Sequence, residues 1–244
     1  MLLVPGYTGS KEDFIAVLAP LAAAGHEVLA IDQRGQYESP GTDDPSSYDV
    51  KVLADDVLTV LAGLERPAHL VGHSFGGLVT RAAALADPAA LRSLTLMSSG
   101  PAAIPAPADS GVGLMLQALP VMDLEAIWAA KRQIESQTEI APPRPDIEAW
   151  LHDRFVANHP MGLHRVAEQL LSEPDRTDEL AALDLPVLVL LGEHDDVWPP
   201  ALQAEMAARL GAAAAVLPDA GHSPAADLPE VTAAQLLTFW AGIA

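Results

Sequence analysis

The stretch Gly72-His73-Ser74-Phe75-Gly76-Gly77 places a serine between two glycines, directly after the apolar run 68–71. A serine on a sharp turn between a strand and a helix presents its hydroxyl at the end of the strand, where it can act as a nucleophile. We predict a positive φ at Ser74, with glycine at 72 and 76 because side chains there would clash. The helix predicted at 75–86 directs its first amides at the place where an oxyanion would form. Since this short motif also arises by chance, its surroundings must support it.

Short apolar runs recur along the chain, and segments of helical character separate them. We predict strands at 2–4, 27–31, 69–71, 93–97, 187–191 and 213–217. We predict helices between them at 14–24, 50–64, 75–86, 200–210 and 230–241. This alternation is typical of an α/β fold, with a mostly parallel, doubly wound sheet of about six strands covered by helices on both faces.

The alternation breaks between Pro101 and about Leu183, where prolines separate apolar helical stretches. Helices predicted at 113–119, 124–134, 147–155 and 163–171 form a helical cap inserted after the strand at 93–97. The predicted domains are a core of residues 1–100 and 184–244 and a cap of residues 101–183. Six apolar residues are candidates for lining a substrate pocket, with simple packing as the alternative interpretation: Met115, Leu119, Trp128, Trp150, Phe155 and Trp198.

Composition excludes several classes of function. The chain has 244 residues, half of them apolar, which suits one sizeable domain or a core with an insertion. Its formal net charge is −20 and its 13 basic residues are scattered, so we expect neither nucleic acid nor a membrane as partner. The partner that we expect is a small-molecule substrate. There is no cysteine, which excludes disulfides and thiolate chemistry. The N-terminus lacks a signal sequence and no apolar run reaches about 18 residues, so we expect a cytoplasmic protein.

A serine hydroxyl is a weak nucleophile at neutral pH, so Ser74 needs an imidazole that accepts its proton and later donates it. Among eight histidines, His222 is the best candidate because it follows the last predicted strand in Asp219-Ala220-Gly221-His222-Ser223-Pro224. His73 should point to the other side of the turn and have a structural role. The spacing of His152, His159 and His164 near Asp153 could indicate a metal site, but no strong ligand motif accompanies it, and we expect no metal.

The histidine in turn needs a carboxylate that holds its tautomer and stabilises the imidazolium. The stretch Gly192-Glu193-His194-Asp195-Asp196-Val197-Trp198-Pro199 follows the strand at 187–191 and offers two candidates, Asp195 and Asp196. Either could instead be a turn or helix-capping residue.

Over nearly its whole length the chain resembles the α/β-hydrolase family, in which nucleophile, acid and base follow in the order Ser, Asp or Glu, His. The resemblance selects Asp195, because the family pattern here is similar to Gly-x-x-Asp-x-apolar-x-Pro. Some relatives carry the acid one strand earlier, where this chain has Ser98-Ser99-Gly100 and no carboxylate. The resemblance also implies an oxyanion hole made by the backbone amides of Phe75 and Tyr7.

Three departures from the family pattern accompany this resemblance. The loop Pro5-Gly6-Tyr7 has proline where relatives often have histidine, and Asp32-Gln33-Arg34-Gly35-Gln36-Tyr37-Glu38-Ser39 has Tyr37 where glycine is usual. Relatives also begin with an antiparallel strand pair that this chain lacks. The strand at 27–31 would then form an exposed edge, and a homodimer through that edge or a missing N-terminal segment would explain the difference.

The resemblance implies a serine hydrolase without a cofactor that cleaves an ester or thioester of a small, largely apolar substrate through an acyl-enzyme. The serine argues against haloalkane dehalogenases and epoxide hydrolases of the family, which need a carboxylate nucleophile. Several alternatives remain, because fold alone does not decide function. They are carbon–carbon bond hydrolysis, perhydrolysis, a thioesterase or cyclase that acts on a biosynthetic intermediate, and a small-molecule receptor.

Overall fold

The computed structural model of the protein describes residues 1–64, 67–107, 110–137 and 143–243. Its strands are β1 (Leu2–Val4), β2 (Leu29–Ala30), β3 (Ala68–His73), β4 (Leu91–Met97), β5 (Val187–Gly192) and β6 (Ala213–Leu217). They form one sheet in the order β2-β1-β3-β4-β5-β6, and every pair of neighbours is parallel. The predicted α/β class with a six-stranded sheet is confirmed.

The helices connect the strands and form the cap. In chain order they are α1 (Ile15–Ala23), α2 (Val50–Ala62), α3 (Phe75–Ala86), α4 (Gly111–Ala118), α5 (Leu124–Glu135), α6 (Pro145–Val156), α7 (Pro160–Leu170), α8 (Thr177–Ala181), α9 (Pro200–Leu210), α10 (Pro224–Asp227) and α11 (Pro229–Ala241). The predicted helices at 75–86 and 200–210 coincide with α3 and α9. The prediction at 14–24 is divided between the 3₁₀ helix Lys11–Phe14 and α1.

The sheet lies between two helical layers because successive residues of a strand point to opposite faces. Leu2 and Val4 of β1 pack in one apolar cluster with residues of α2, α3 and α9. Leu3, between them, packs in another cluster with residues of α1 and α11. Both faces are therefore covered, which explains why β3 and β5 are buried at every position.

The strand at one edge of the sheet is shorter than predicted. Only Leu29 and Ala30 of the predicted segment 27–31 pair with β1, opposite Leu2 and Leu3. The remaining residue of β1, Val4, pairs with Gly72 of β3 and has no partner in β2. β2 nevertheless lies at the edge of the sheet, as predicted, and Leu29 is 40% exposed.

Helices α4 to α7 lie between β4 and β5, where the cap was predicted. A second group of buried residues, which we call the cap cluster, holds these helices together: Leu119, Leu124, Ile127, Phe155 and Leu163. Tyr7 of the core packs against it. Leu180 of α8, by contrast, belongs to the core cluster with α3 and α9. The division at 101 and 183 remains a prediction, and residues 108–109 and 138–142 lie outside the described residues.

A buried arginine joins the two places where the chain passes between core and cap. Arg81 of α3 is 1% exposed. Its guanidinium donates to the carbonyl oxygens of Pro101 and Pro174 and pairs with Glu173 at 3.0 Å. The entry to the cap and the exit from it are thus tied to the helix that follows Ser74.

Candidate active site

Ser74 occupies a strained turn between β3 and α3. Its φ is 54° and its ψ is −122°, so the predicted positive φ is confirmed. A Cβ at Gly72 would lie 2.2 Å from Thr80 Oγ1 and 2.4 Å from the carbonyl oxygen of Gly76. A Cβ at Gly76 would lie 2.4 Å from the carbonyl oxygen of Val4. Such contacts leave room only for glycine at both positions, and they bring β1 close to the turn.

The parallel sheet brings three polar side chains together at its carboxyl edge, because Ser74, Asp195 and His222 follow β3, β5 and β6. Ser74 Oγ lies 2.9 Å from His222 Nε2. His222 Nδ1 lies 2.9 Å from Asp195 Oδ1. With the proton on Nδ1, the imidazole donates to the carboxylate, and its Nε2 is free to accept from the serine hydroxyl. The arrangement can pass a proton from Ser74 to His222.

Asp195 is fixed by donors on both of its carboxylate oxygens. Oδ1 accepts from the backbone amides of Val197 at 3.0 Å and Trp198 at 3.3 Å, and Oδ2 accepts from Gln203 Nε2 at 2.8 Å. Burial by itself raises the pKa of Asp195, but the hydrogen bond and charge of His222, together with these donors, bring the pKa below its usual value. Asp196, the alternative from the sequence, is exposed to solvent. The carboxylate that meets His222 is that of Asp195.

His73 lies beneath the imidazole of His222. Its Nε2–H donates to the carbonyl oxygen of His222 at 2.8 Å, and the two rings are 5.1 Å apart between centroids. Burial, followed by the proximity of His222, lowers the pKa of His73 to about 4, so its ring is neutral at pH 7. The hydrogen bonding predicted for His73 is present, but the predicted direction of its side chain was wrong, because the ring lies next to His222 and lines the same cavity as Ser74.

The loop after β1 passes directly beside Ser74, since a Cβ at Gly6 would lie 2.8 Å from the serine Cβ. Two buried glutamines hold its carbonyl groups. Gln33 Nε2 donates to Pro5 O at 2.8 Å, and Gln36 Nε2 donates to Gly6 O at 2.8 Å. Because a trans peptide points its N–H opposite its C=O, the contact with Gln36 also fixes the direction of the Tyr7 amide.

The amides of Tyr7 and Phe75 are the predicted oxyanion donors. Among the loop and turn hydrogen bonds of the described chain, neither of these N–H groups has a backbone acceptor. Phe75 is the first residue of α3, where N–H groups have no partner within the helix. Their role in binding an oxyanion remains a prediction.

Two cavities share part of their lining, and the smaller of them borders the serine. The polar cavity, of about 240 Å³, is lined by Ser74, His73, His222 and Ser223 together with the loop from Gly6 to Gly9. The apolar cavity, of about 620 Å³, lies under the cap and is lined mainly by α4, α5 and α6. Both cavities border Tyr7, Thr8 and Arg154. A molecule bound across this junction can place one part in each cavity.

Three of the six predicted pocket residues line the apolar cavity: Met115, Trp128 and Phe155. The other three do not. Leu119 is buried in the cap cluster, and Trp150 packs against the guanidinium of Arg154, 4.8 Å from its ring centroid. Trp198 is 0% exposed, and its indole N–H donates to the carbonyl oxygen of Ala102. For Trp198 the prediction was wrong, because the residue packs into the core beneath the start of the cap.

An ion pair connects the cap to the core at the junction of the cavities. Arg154 of α6 pairs with Asp13 of the 3₁₀ helix Lys11–Phe14. The phenol of Tyr7 lies buried nearby between core and cap, and burial raises its pKa. Neither contact could be predicted from the sequence, because each joins residues far apart in the chain.

The histidines of the cap have local partners. His152 bonds to Glu125 at 2.8 Å and Asp153 at 3.0 Å, and His159 stacks on Tyr48. Within the ranges that the structure describes, no group of three or more histidine, cysteine, aspartate or glutamate side chains could hold a metal ion. Of the helices in those ranges, none combines the length and apolar character needed to cross a bilayer.

The chain is similar to several known enzymes of one family. The model of the alpha/beta hydrolase family matches residues 1–235. A RutD protein of Variovorax paradoxus (strain S110), whose name proposes carbamate hydrolysis, is 30% identical, with 100% of this chain and 92% of the relative aligned. A non-heme chloroperoxidase of Streptomyces lividans is 31% identical, with 96% and 88% aligned. A pimeloyl-[acyl-carrier protein] methyl ester esterase of Neisseria meningitidis (serogroup A) is 28% identical, with 99% and 76% aligned.

A solved structure supports the same grouping. A hydrolase from Pseudomonas aeruginosa PA01 superposes with a TM-score of 0.77 at 26% identity, covering 98% of this chain and 89% of that one.

Proposed function

The chain belongs to the alpha/beta hydrolase family and is a hydrolase, and we propose that it cleaves esters or thioesters through an acyl-enzyme formed on Ser74. The observation that carries the proposal is the pair of 2.9 Å contacts that link Ser74 to His222 and His222 to Asp195. Together they provide a nucleophile, a base and a group that orients the base.

In the first half of the reaction, Ser74 Oγ attacks the substrate carbonyl carbon while its proton passes to His222 Nε2. The amides of Tyr7 and Phe75 hold the resulting oxyanion, and Asp195 stabilises the imidazolium. The tetrahedral intermediate collapses when the bond to the leaving group breaks. His222 gives its proton to the departing alcohol or thiol, which leaves an ester between Ser74 and the acyl group.

In the second half, water takes the place of the leaving group. His222 accepts a proton from the water as its oxygen attacks the acyl carbon, and the same amides bind the second oxyanion. The proton then returns to Ser74 Oγ as the ester bond to the serine breaks. The carboxylic acid departs, and the enzyme returns to its starting state.

The two cavities support an assignment of the substrate parts. The leaving group has to lie near His222, which protonates it, and the polar cavity borders His222 and Ser223. The acyl chain then occupies the apolar cavity beside Met115, Trp128 and Phe155. We propose an apolar acyl chain of medium length joined to a small alcohol or thiol, with no cofactor taking part.

The test is turnover of p-nitrophenyl esters from acetate to dodecanoate by wild type and Ser74→Ala. We expect the wild type to hydrolyse a medium-chain ester and Ser74→Ala to lose this activity. Ser99→Ala is the matched control, because Ser99 is also buried but follows β4. Equal activity in wild type and Ser74→Ala would overturn the proposal. A folded wild type that binds these esters without turnover would favour a receptor.

A second candidate is perhydrolysis, which the similarity to a non-heme chloroperoxidase favours. Hydrogen peroxide would attack the same acyl-enzyme in place of water and leave as a peracid. Formation of peracid from acetate and hydrogen peroxide, measured through halide oxidation, would support this reaction. Halide oxidation that persists in Ser74→Ala would exclude it.

A further inference from the structure

Gln203 of α9 is a buried residue that contacts the Asp195 carboxylate from the side opposite His222. Its side chain is 0% exposed. Its Nε2 donates to Asp195 Oδ2 at 2.8 Å and to the carbonyl oxygen of Trp198 at 2.8 Å. One amide group therefore reaches both the carboxylate and the backbone of the loop that carries it.

The orientation of this amide follows from its neighbours. Both atoms that it meets are acceptors, so the NH₂ group has to face them, since the carbonyl oxygen would be repelled. This orientation leaves the carbonyl oxygen of the amide without a donor in the described part of the chain. Gln203 Oε1 is buried and has no hydrogen-bond partner within the described residues. The side chain leaves one acceptor unsatisfied while it donates to Asp195.

The contacts of Asp195 divide between its two oxygens. Oδ1 receives His222 Nδ1–H and the amides of Val197 and Trp198, all from its own loop or the loop of His222. Oδ2 receives a side-chain donor from Gln203 alone among the described residues. Without that donor, the carboxylate would keep only contacts on Oδ1 and could rotate about the bond to Cβ.

We propose that Gln203 is a positioning residue for the reaction, which holds the Asp195 carboxylate in the plane that presents Oδ1 to His222. This inference rests on the proposed function of Ser74, Asp195 and His222. Gln203 touches neither the substrate nor Ser74. It acts through Asp195, and its hydrogen bond to the Trp198 carbonyl oxygen fixes α9 against the loop that carries Asp195.

The first test compares Gln203→Met with wild type, because methionine has a similar length and no donor. We expect kcat for a p-nitrophenyl ester to fall by about 10- to 100-fold, since a shift of about 1 Å in a catalytic group can cost about 10²-fold. KM should change by less than about 3-fold, because the substrate cavities are untouched.

The pH profile provides a measurement that a purely structural role would not move. Gln203 stabilises the form of the Asp195 and His222 pair that carries the most negative charge, which is the unprotonated pair. Its loss makes the uptake of a proton easier. The acid limb of the kcat/KM profile should therefore move to higher pH in Gln203→Met. The shift should be larger in Gln203→Glu, which adds a second carboxylate beside the first.

Gln169→Met is the matched control. Gln169 is also buried and hydrogen-bonded, in its case to three backbone groups, Val50 N, Tyr48 O and Arg165 O, but it lies on α7 and does not contact Asp195. We expect Gln169→Met to leave the acid limb in place. A Gln203→Met enzyme that is folded, with wild-type kcat and an unshifted acid limb, would overturn the inference. Equal effects of both substitutions would also overturn it.

A proton NMR spectrum of the His222 ring keeps this test separate from the proposed function. If wild type turns over no ester, the proposed function fails, and the low-field resonance of the Nδ1 proton, which lies in the hydrogen bond to Asp195 Oδ1, still reports on the contact. We expect this resonance to move in Gln203→Met and to stay in Gln169→Met. Should Gln203→Met fail to fold, Gln203→Leu, which also lacks a donor, provides the same comparison. An unchanged resonance in the folded variant would contradict the inference.

Discussion

The backbone of Ser74 is held in a strained conformation by its contacts with neighbouring strands. The turn needs a positive φ, which costs about 1–3 kcal/mol in a residue other than glycine and is stabilised by the hydrogen bond from the Ser74 amide to Met97 O at 2.9 Å. Gly72 and Gly76 allow the backbone of β1 and α3 to approach. The strain is therefore maintained by the surrounding sheet and not by the turn itself.

The choice of Asp195 over Asp196 is a prediction at the scale of one residue. Replacing Asp195 by Asn should lower kcat/KM by about 10³- to 10⁴-fold, because the neutral amide favours the wrong imidazole tautomer. Asp196→Asn should change kcat/KM by less than about 3-fold, since this side chain is exposed. Steady-state kinetics on one ester check both variants. A larger loss in Asp196→Asn would show that the carboxylate has been assigned to the wrong residue.

Two buried histidines predict sensitivity of the fold to acid. Burial lowers the pKa of both His69 and His73 from 6.5 to about 4. The unfolded chain therefore binds protons that the folded chain refuses, so the free energy of unfolding should decrease as the pH falls from 6.5 to about 4. Each histidine contributes up to about 1.4 kcal/mol per pH unit.

Urea unfolding at several pH values measures this effect. His69→Gln should lose part of the decrease between pH 6.5 and pH 4, because the variant lacks one of the two groups. His194→Gln, at an exposed position, serves as the control. An identical decrease in His69→Gln and wild type would show that burial of His69 does not contribute to acid unfolding.

Ser74 and His222 could be predicted as partners because each follows a strand and lies in a local pattern, whereas the choice of Asp195 over Asp196 came from the resemblance to the family. Gln203, Gln33 and Gln36 could not be predicted in this way. Each reaches a backbone or carboxylate group from a different element, and no spacing in the sequence marks such a contact. Trp198 was misassigned because an aromatic residue in a loop after a strand has the same appearance whether it lines a pocket or fills the core.

At the scale of elements, the cap determines the shape of the apolar cavity. Trp128 of α5 lines the cavity, while Trp150 of α6 packs outside it against Arg154. The two tryptophans therefore separate the effect of the cavity from that of cap packing. Both substitutions remove an aromatic ring from the same helical layer.

Trp128→Ala should shift the preferred acyl chain to longer p-nitrophenyl esters, because the enlarged cavity accepts more methylene groups. One extra methylene in an apolar pocket changes kcat/KM by about 10-fold or more. Trp150→Ala should leave the chain-length preference within about 2-fold. A profile of kcat/KM against chain length is the measurement. Equal changes in both variants would count against the assignment of the acyl chain to this cavity.

Several elements lie where the sequence predicts them. β5, which is buried at every position, and β6, an edge strand that buries only Leu217, both start where the apolar runs start, and α3 and α9 coincide with their predictions. β2 was predicted too long, because the pattern of apolar residues does not reveal that only Leu2 and Leu3 of β1 pair with it. Pairing partners, and not composition, decide the length of an edge strand.

At the scale of the whole molecule, the exposed edge at β2 bears on self-association. The amide of Leu29 donates to Met1 O, just before β1, and that of Ile31 donates to Leu3 O, so the backbone N–H of Ala30 points away from the sheet. We propose that two copies pair through this edge, which is one of the two explanations that the sequence left open. Ala30→Pro removes the outward N–H and leaves the bonds to β1 intact.

Sedimentation velocity over a range of concentrations checks this prediction. We expect a dimer fraction that grows with wild-type concentration and is absent in Ala30→Pro. A wild type that is monomeric at every concentration, or a dimer that Ala30→Pro does not affect, would contradict pairing through β2.

Every step of the proposed reaction depends on a nucleophilic Ser74. The most direct measurement is covalent labelling with a fluorophosphonate, followed by mass spectrometry of the labelled peptide. We predict one adduct per wild-type chain, located on Ser74, slower labelling in Asp195→Asn and no labelling in Ser74→Ala. A folded wild-type protein that is not labelled, or that carries the adduct on another residue, would contradict the central claim.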